Sequence, residues 1–146
     1  MDKNRFLVAL AESQSTSFGR IAFLDQTEDQ MVFSAIWSLE SEVNGGGFAH
    51  YFASWDGDTA SFAPTALRRI SAKTCASLVE RALAEVSPLP LPSGVEERSV
   101  LMSGLGTDAL ERLGALDSEF FAYPDNLTDL LYDFVLSRPG EFAGVG

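Results

Sequence analysis

Apolar residues recur along this chain at helical spacing. Between Thr27 and Val43, the positions Val32, Ile36, Leu39 and Val43 fall at i, i+4, i+7 and i+11, on one face of a helix. Thr27 and Gln30 stand just ahead of that run at capping-box spacing, in which each side chain satisfies a free backbone N–H at the helix start. Gly45, Gly46 and Gly47 are expected to stop the helix, because glycine takes the left-handed backbone at a helix C-terminus without a Cβ clash. Residues 48–55 then restart a short helix that ends at the turn Asp56-Gly57-Asp58.

Further on, Leu67, Ile70, Leu78, Val79 and Leu83 form the apolar stripe of one or two helices. Pro88, Pro90 and Pro92 alternate through 87–94, so that stretch is extended and connects helices. A short helix follows near 95–103. Two closing helices occupy 107–124 and 125–142, the second stopped by Pro139-Gly140. In that last helix Leu127, Leu130, Leu131, Phe134 and Val135 repeat at i, i+3, i+4, i+7 and i+8, a core-facing stripe. No alternating pattern suggests a strand. The expected fold is all-α: one compact bundle of about six to eight helices, with an N-terminal helical segment over 1–24, the main domain over 25–142 and a tail at 143–146.

Length and composition agree with that picture. The chain has 146 residues, 46% of them hydrophobic and 21% charged, which suits a globular domain with a sizeable core. The apolar run Phe6–Ala11 is far too short to cross a bilayer or to serve as a secretory signal. Cys75 is the single cysteine, so no internal disulfide forms and a reducing cytoplasm is the expected setting. Charge changes the picture most. The net charge of −11 and pI near 4.3 argue against direct contact with nucleic acid or an anionic membrane, and favour a basic protein as partner.

The glycine run resists a phosphate-binding reading. It lacks the lysine and spacing of a Walker loop, follows a helix rather than a strand, and has Glu40 and Glu42 beside it to repel phosphate. His50 is the only histidine, and one histidine with one cysteine falls short of a structural zinc site, so neither metal nor cofactor is expected. In an aromatic-rich helix His50 is expected to be packed and hydrogen-bonded. Ser41, Ser54 and Cys75 carry no mark of an activated nucleophile. The acids are more informative. Asp125, Asp129 and Asp133 are spaced at i, i+4 and i+8, about 6 Å apart at 1.5 Å per residue, and Asp108, Glu111, Asp117 and Glu119 add carboxylates on the preceding helix.

Glu42-Val43-Asn44-Gly45-Gly46-Gly47-Phe48, followed by Tyr51-Phe52 and Gly57, resembles the signature of a bacterial family of unknown function named for the C-terminal domain of a DNA-mimic protein. Further matches run in order through 66–72, Arg98, 116–121, 130–135, Pro139 and Phe142. The chain departs from the pattern at Gly45, where the family usually has a second Asn, at Ala49-His50 in place of a polar pair, and at Ser71 in place of a common Gly. The resemblance implies an all-helical, acidic, non-enzymatic protein. It would present carboxylates in place of DNA phosphates to a DNA-binding protein, often as a homodimer. Within this motif Gly45–Gly47 act as a structural hinge, with Phe48, Tyr51 and Phe52 driven into the core and Asn44 bonding local backbone.

The leading expectation is therefore a cytoplasmic acidic interaction domain and DNA mimic, with Asp108, Glu111, Asp117, Glu119, Asp125, Asp129 and Asp133 as its partner-binding face. Two alternatives stand beside it. One is a small enzyme or ligand-binding protein with a pocket near Glu42, Asn44, His50 and Tyr51. The other is an antitoxin or immunity-type inhibitor of a basic enzyme.

Overall fold

Thr27 and Gln30 form the expected reciprocal cap: Thr27 N donates to Gln30 Oε1 at 3.0 Å and Gln30 N to Thr27 Oγ1 at 3.3 Å. The helix they start is the longest of seven in the computed structural model, which describes residues 2–12, 22–86 and 90–142. The helices are α1 (Lys3–Glu12), α2 (Glu28–Ala53), α3 (Ala63–Arg69), α4 (Lys73–Ala84), α5 (Val95–Ser103), α6 (Thr107–Phe121) and α7 (Leu127–Leu136). Short 3-10 turns lie at Phe23–Asp25, Trp55–Thr59 and Pro139–Phe142, and no strand occurs among the described residues. The fold is all-α. The expected tail at 143–146 lies outside the described residues, as do residues 13–21 of the N-terminal segment and 87–89 of the proline stretch.

Helix α2 sits at the centre, packed against α3, α5, α6 and the turn Trp55–Thr59, while α4 joins α3 to α6 and α1 pairs with α7. Its centrality follows from its sequence. Val32, Phe33, Ala35, Ile36, Leu39 and Val43 cover so much of its circumference that neighbours on several sides must shield it. Each fully buried Val, Leu, Ile or Phe contributes about 1.5–3 kcal/mol relative to an exposed one. Leu7 and Leu10 of α1 enter the same core as Leu127, Leu131, Phe134 and Val135 of α7. The closing turn folds back on α2, where Gln30 Nε2 donates to Glu141 O at 2.8 Å.

Three expectations change. The glycine run does not end α2: Gly45 and Gly46 remain helical, and only Gly47 leaves the helix, at φ 85° and ψ −179°. Helix continues through two glycines because the cost of each is about 1 kcal/mol, less than the burial that Phe48, Tyr51 and Phe52 provide beyond them. Asn44 does not bond local backbone; its Nδ2 donates to Tyr123 Oη at 2.9 Å. Asp125 does not belong to the last helix, since Asn126 is its N-cap and accepts from Asp129 N at 3.1 Å. The evenly spaced row Asp125, Asp129, Asp133 therefore reduces to two helical positions. Ser71, where the resembled family commonly has glycine, adopts φ 68°, the left-handed backbone that explains the preference.

Candidate partner-binding surface

The break at Gly47 leaves a second helical stretch, Phe48 to Ala53, with unpaired N–H groups at its start. Asp117 of α6 answers one of them: Phe48 N donates to Asp117 Oδ1 at 2.7 Å. Gly47 is required twice here, by its positive φ and because a Cβ at that position would collide with the Asp117 carboxylate. Burial raises the Asp117 pKa above the usual carboxylate range, partly offset by the Phe48 N–H. Asp125 plays the same part elsewhere. Helix α4 begins after Ala72, which has no acceptor side chain, and Cys75 N donates to Asp125 Oδ2 at 2.8 Å. Two of the expected partner-binding acids thus face inward as caps supplied from a distant part of the chain.

At the far end of α2, Arg98 of α5 is fully buried. Its Nε donates to Phe52 O at 2.9 Å, its Nη2 to Ser54 O at 2.9 Å, and its Nη1 to Pro92 O at 2.9 Å and to Asp58 Oδ1. The guanidinium fork thereby satisfies the carbonyls at the end of α2 and ties down the turn and the proline stretch together. Gly57 lets it approach, since a Cβ there would stand 2.7 Å from both Arg98 Nε and Phe52 O. Arg98 stands in the pattern of the resembled family, but its role is not legible locally, because all its partners except Pro92 lie 40 or more residues away. The signal for Asp117 and Asp125 is indirect: a helix start without an acceptor residue must borrow one.

His50 is not packed in the core. Its side chain is 53% exposed, and its Nε2 lies 2.8 Å from Glu42 Oε2. Glu42 also hydrogen-bonds Asp56, whose pKa is raised by burial and then by Glu42 itself. Tyr51 Oη meets Thr59 Oγ1 at 2.6 Å inside the core, and burial pushes the phenol up. Glu42 with His50 and Tyr51 with Thr59 thus meet around Asp56, while Asn44 is held to Tyr123. Among the described residues, no group of His, Cys, Asp or Glu is placed to hold a metal ion.

The remaining acids divide by whether a cation reaches them. Glu119 lies 3.2 Å from Arg81, and Asp129 lies 3.2 Å from Lys3. Arg68, Arg69, Arg112 and Arg138 are likewise drawn to Glu80, to Glu28 and Asp29, to Glu85 and to Asp29. Asp108 and Glu111 of α6 and Asp133 of α7 stay exposed without an ion pair among the described residues. So do Glu96 and Glu97 of α5, which the spacing of acids on the closing helices did not reveal. Beside them on the two helices stand exposed apolar side chains, Val100 at 74% and Leu110 at 45%, and Trp55 is 81% exposed on the turn packed against α5. The helices α5 and α6, joined through Gly104–Gly106, thus carry unpaired carboxylates interleaved with apolar groups.

No described helix is long and apolar enough to cross a membrane. A family model described as DMP19-like protein matches residues 25–138. Neither the curated proteins nor the solved structures contain a match to the chain.

Proposed function

The chain belongs to the DMP19-like family, named for a DNA mimic protein, and from that premise we propose that it is an acidic, non-enzymatic interaction domain whose surface carboxylates occupy the basic DNA-binding surface of a partner protein in the cytoplasm. The family match over residues 25–138 carries this reading. Charge supports it: most of the described cations are engaged by carboxylates, which leaves Glu96, Glu97, Asp108, Glu111 and Asp133 to project an uncompensated field. On this reading the leading contact surface is α5 with the first half of α6, and a two-fold homodimer would lengthen it.

Capture of proteins from a bacterial lysate on the immobilised chain tests the reading. DNA mimicry requires the captured proteins to be released by duplex DNA and to bind less tightly as salt rises. Captured proteins that ignore duplex DNA would refute it. Capture of a basic enzyme whose activity is blocked would instead support an immunity-type inhibitor.

A further inference from the structure

Helix α2 carries a polar stripe beside its apolar one. Trp37, Glu40, Ser41 and Asn44 fall at i, i+3, i+4 and i+7, and so share one face. Together with Asn4 and Leu7 of α1 and Thr128 of α7, they line a cavity of about 160 Å³. We propose that this cavity is a site for an organic cation with N–H donors, a primary ammonium on an alkyl stem, held on the Glu40 carboxylate. The function proposed above does not assign it.

The lining has the composition such a head group needs. The Glu40 carboxylate offers several lone pairs, and Ser41, Thr128 and Asn4 add neutral acceptors to the lining. Leu7 and the Trp37 ring supply apolar and π surface for a stem and its charge. An ammonium suits the volume, being more compact than the planar guanidinium.

No cation of the described chain serves Glu40. Lys3, next to Asn4, is held 3.2 Å from Asp129 and lies over the Tyr132 ring. The titratable groups that face Glu40 are Tyr123, whose side chain hydrogen-bonds it, and Cys75 of α4, with Asp125 against Cys75. None brings positive charge. Burial pushes Glu40 up to about 7, only partly offset by Tyr123, so a proton and a cation compete for the same carboxylate near neutral pH.

The ammonium can come from a free alkylamine or from a lysine side chain of a protein partner. The second source rests on the DNA-mimic reading; the first does not. The test uses the full chain with Trp55→Phe, which leaves Trp37 as its only indole. Indole fluorescence is followed on titration with n-butylammonium, with a lysine-containing peptide, with the same peptide carrying norleucine, and with tetramethylammonium, which has no N–H. The proposal expects a saturable change with n-butylammonium or the lysine peptide and none with the norleucine peptide or tetramethylammonium. Binding should weaken at least about tenfold in Glu40→Gln, and strengthen by up to about tenfold per pH unit until Glu40 ionises, then level off. Saturation by n-butylammonium identifies a free-amine site, and saturation by the peptide alone identifies a side-chain site. An unchanged response in Glu40→Gln, equal binding of tetramethylammonium, or no saturable change with either ammonium probe would overturn the proposal. A cation site that persists while lysate capture ignores DNA would leave this inference standing and remove mimicry.

Discussion

The end of α2 and the exposed acids of α5 and α6 use charge in opposite ways. Around Gly47 and Arg98, charge is spent on the backbone: Asp117 holds Phe48 N, and Arg98 holds three carbonyls and Asp58. On α5 and α6, Glu96, Glu97, Asp108 and Glu111 have no ion-pair partner at all among the described residues. In the first region a lost charge should be felt as lost stability. In the second it should be felt only by a partner. Residue type does not separate the two, since Asp117 and Asp108 lie on the same helix.

Removing Arg98 gives the largest expected effect. Arg98→Leu leaves the carbonyls of Phe52, Ser54 and Pro92 without a donor, at about 1–3 kcal/mol for each, so stability should fall by about 3–5 kcal/mol in denaturant unfolding. A fall below about 1 kcal/mol would show that water replaces the guanidinium, and the contrast between the regions would weaken.

Glu40 gives a pH-dependent effect. Its folded pKa of about 7 lies above the usual 4.5, so the folded chain holds its proton more tightly than the unfolded chain. Glu40's contribution to stability is therefore fully present at low pH and is lost as pH rises from about 4.5 to 7, by up to about 3 kcal/mol. Glu40→Gln should remove that slope. Unfolding midpoints of the two proteins at pH 5 and pH 8 decide it: the variant gains relative to the parent only at the higher pH.

Gly47→Ala should cost about 1–3 kcal/mol, from the positive φ and the collision with Asp117. Combined with Asp117→Ala, the loss should be smaller than the sum of the two single losses, because the collision is gone. Strict additivity in this double-mutant cycle would mean the strain is in the backbone alone.

The smallest effects sharpen the contrast among acids. Asp125→Ala removes the acceptor at the start of α4 and should cost about 1 kcal/mol, whereas Asp133→Ala should change stability by less than about 0.5 kcal/mol. Equal thermal shifts would erase the distinction between capping acids and surface acids.

The helices were legible because local chemistry decides them. Thr27 with Gln30 marked the start of α2, and Leu127, Leu131, Phe134 and Val135 marked the buried face of α7. The family was legible in the motif from Glu42 to Phe48, with Tyr51, Phe52 and Gly57. The roles of the acids were not. Spacing along one helix cannot tell that Asp117 turns toward a break in another, or that Asp125 precedes α7 and caps α4. Those roles depend on which helix start lacks its own acceptor and which remote loop lies near it. His50 misled for a related reason: its neighbours Phe48, Tyr51 and Phe52 are buried, yet the break at Gly47 turns position 50 outward to Glu42.

Binding of captured proteins to the chain and to the variant Glu96→Gln, Glu97→Gln, Asp108→Asn, Glu111→Gln, with and without competing duplex DNA, tests the central claim most directly. Mimicry by the α5–α6 carboxylates predicts that the parent retains proteins which duplex DNA releases, and that the variant, folded and equally stable, no longer retains them. Retention of the same proteins by the neutralised variant would contradict it.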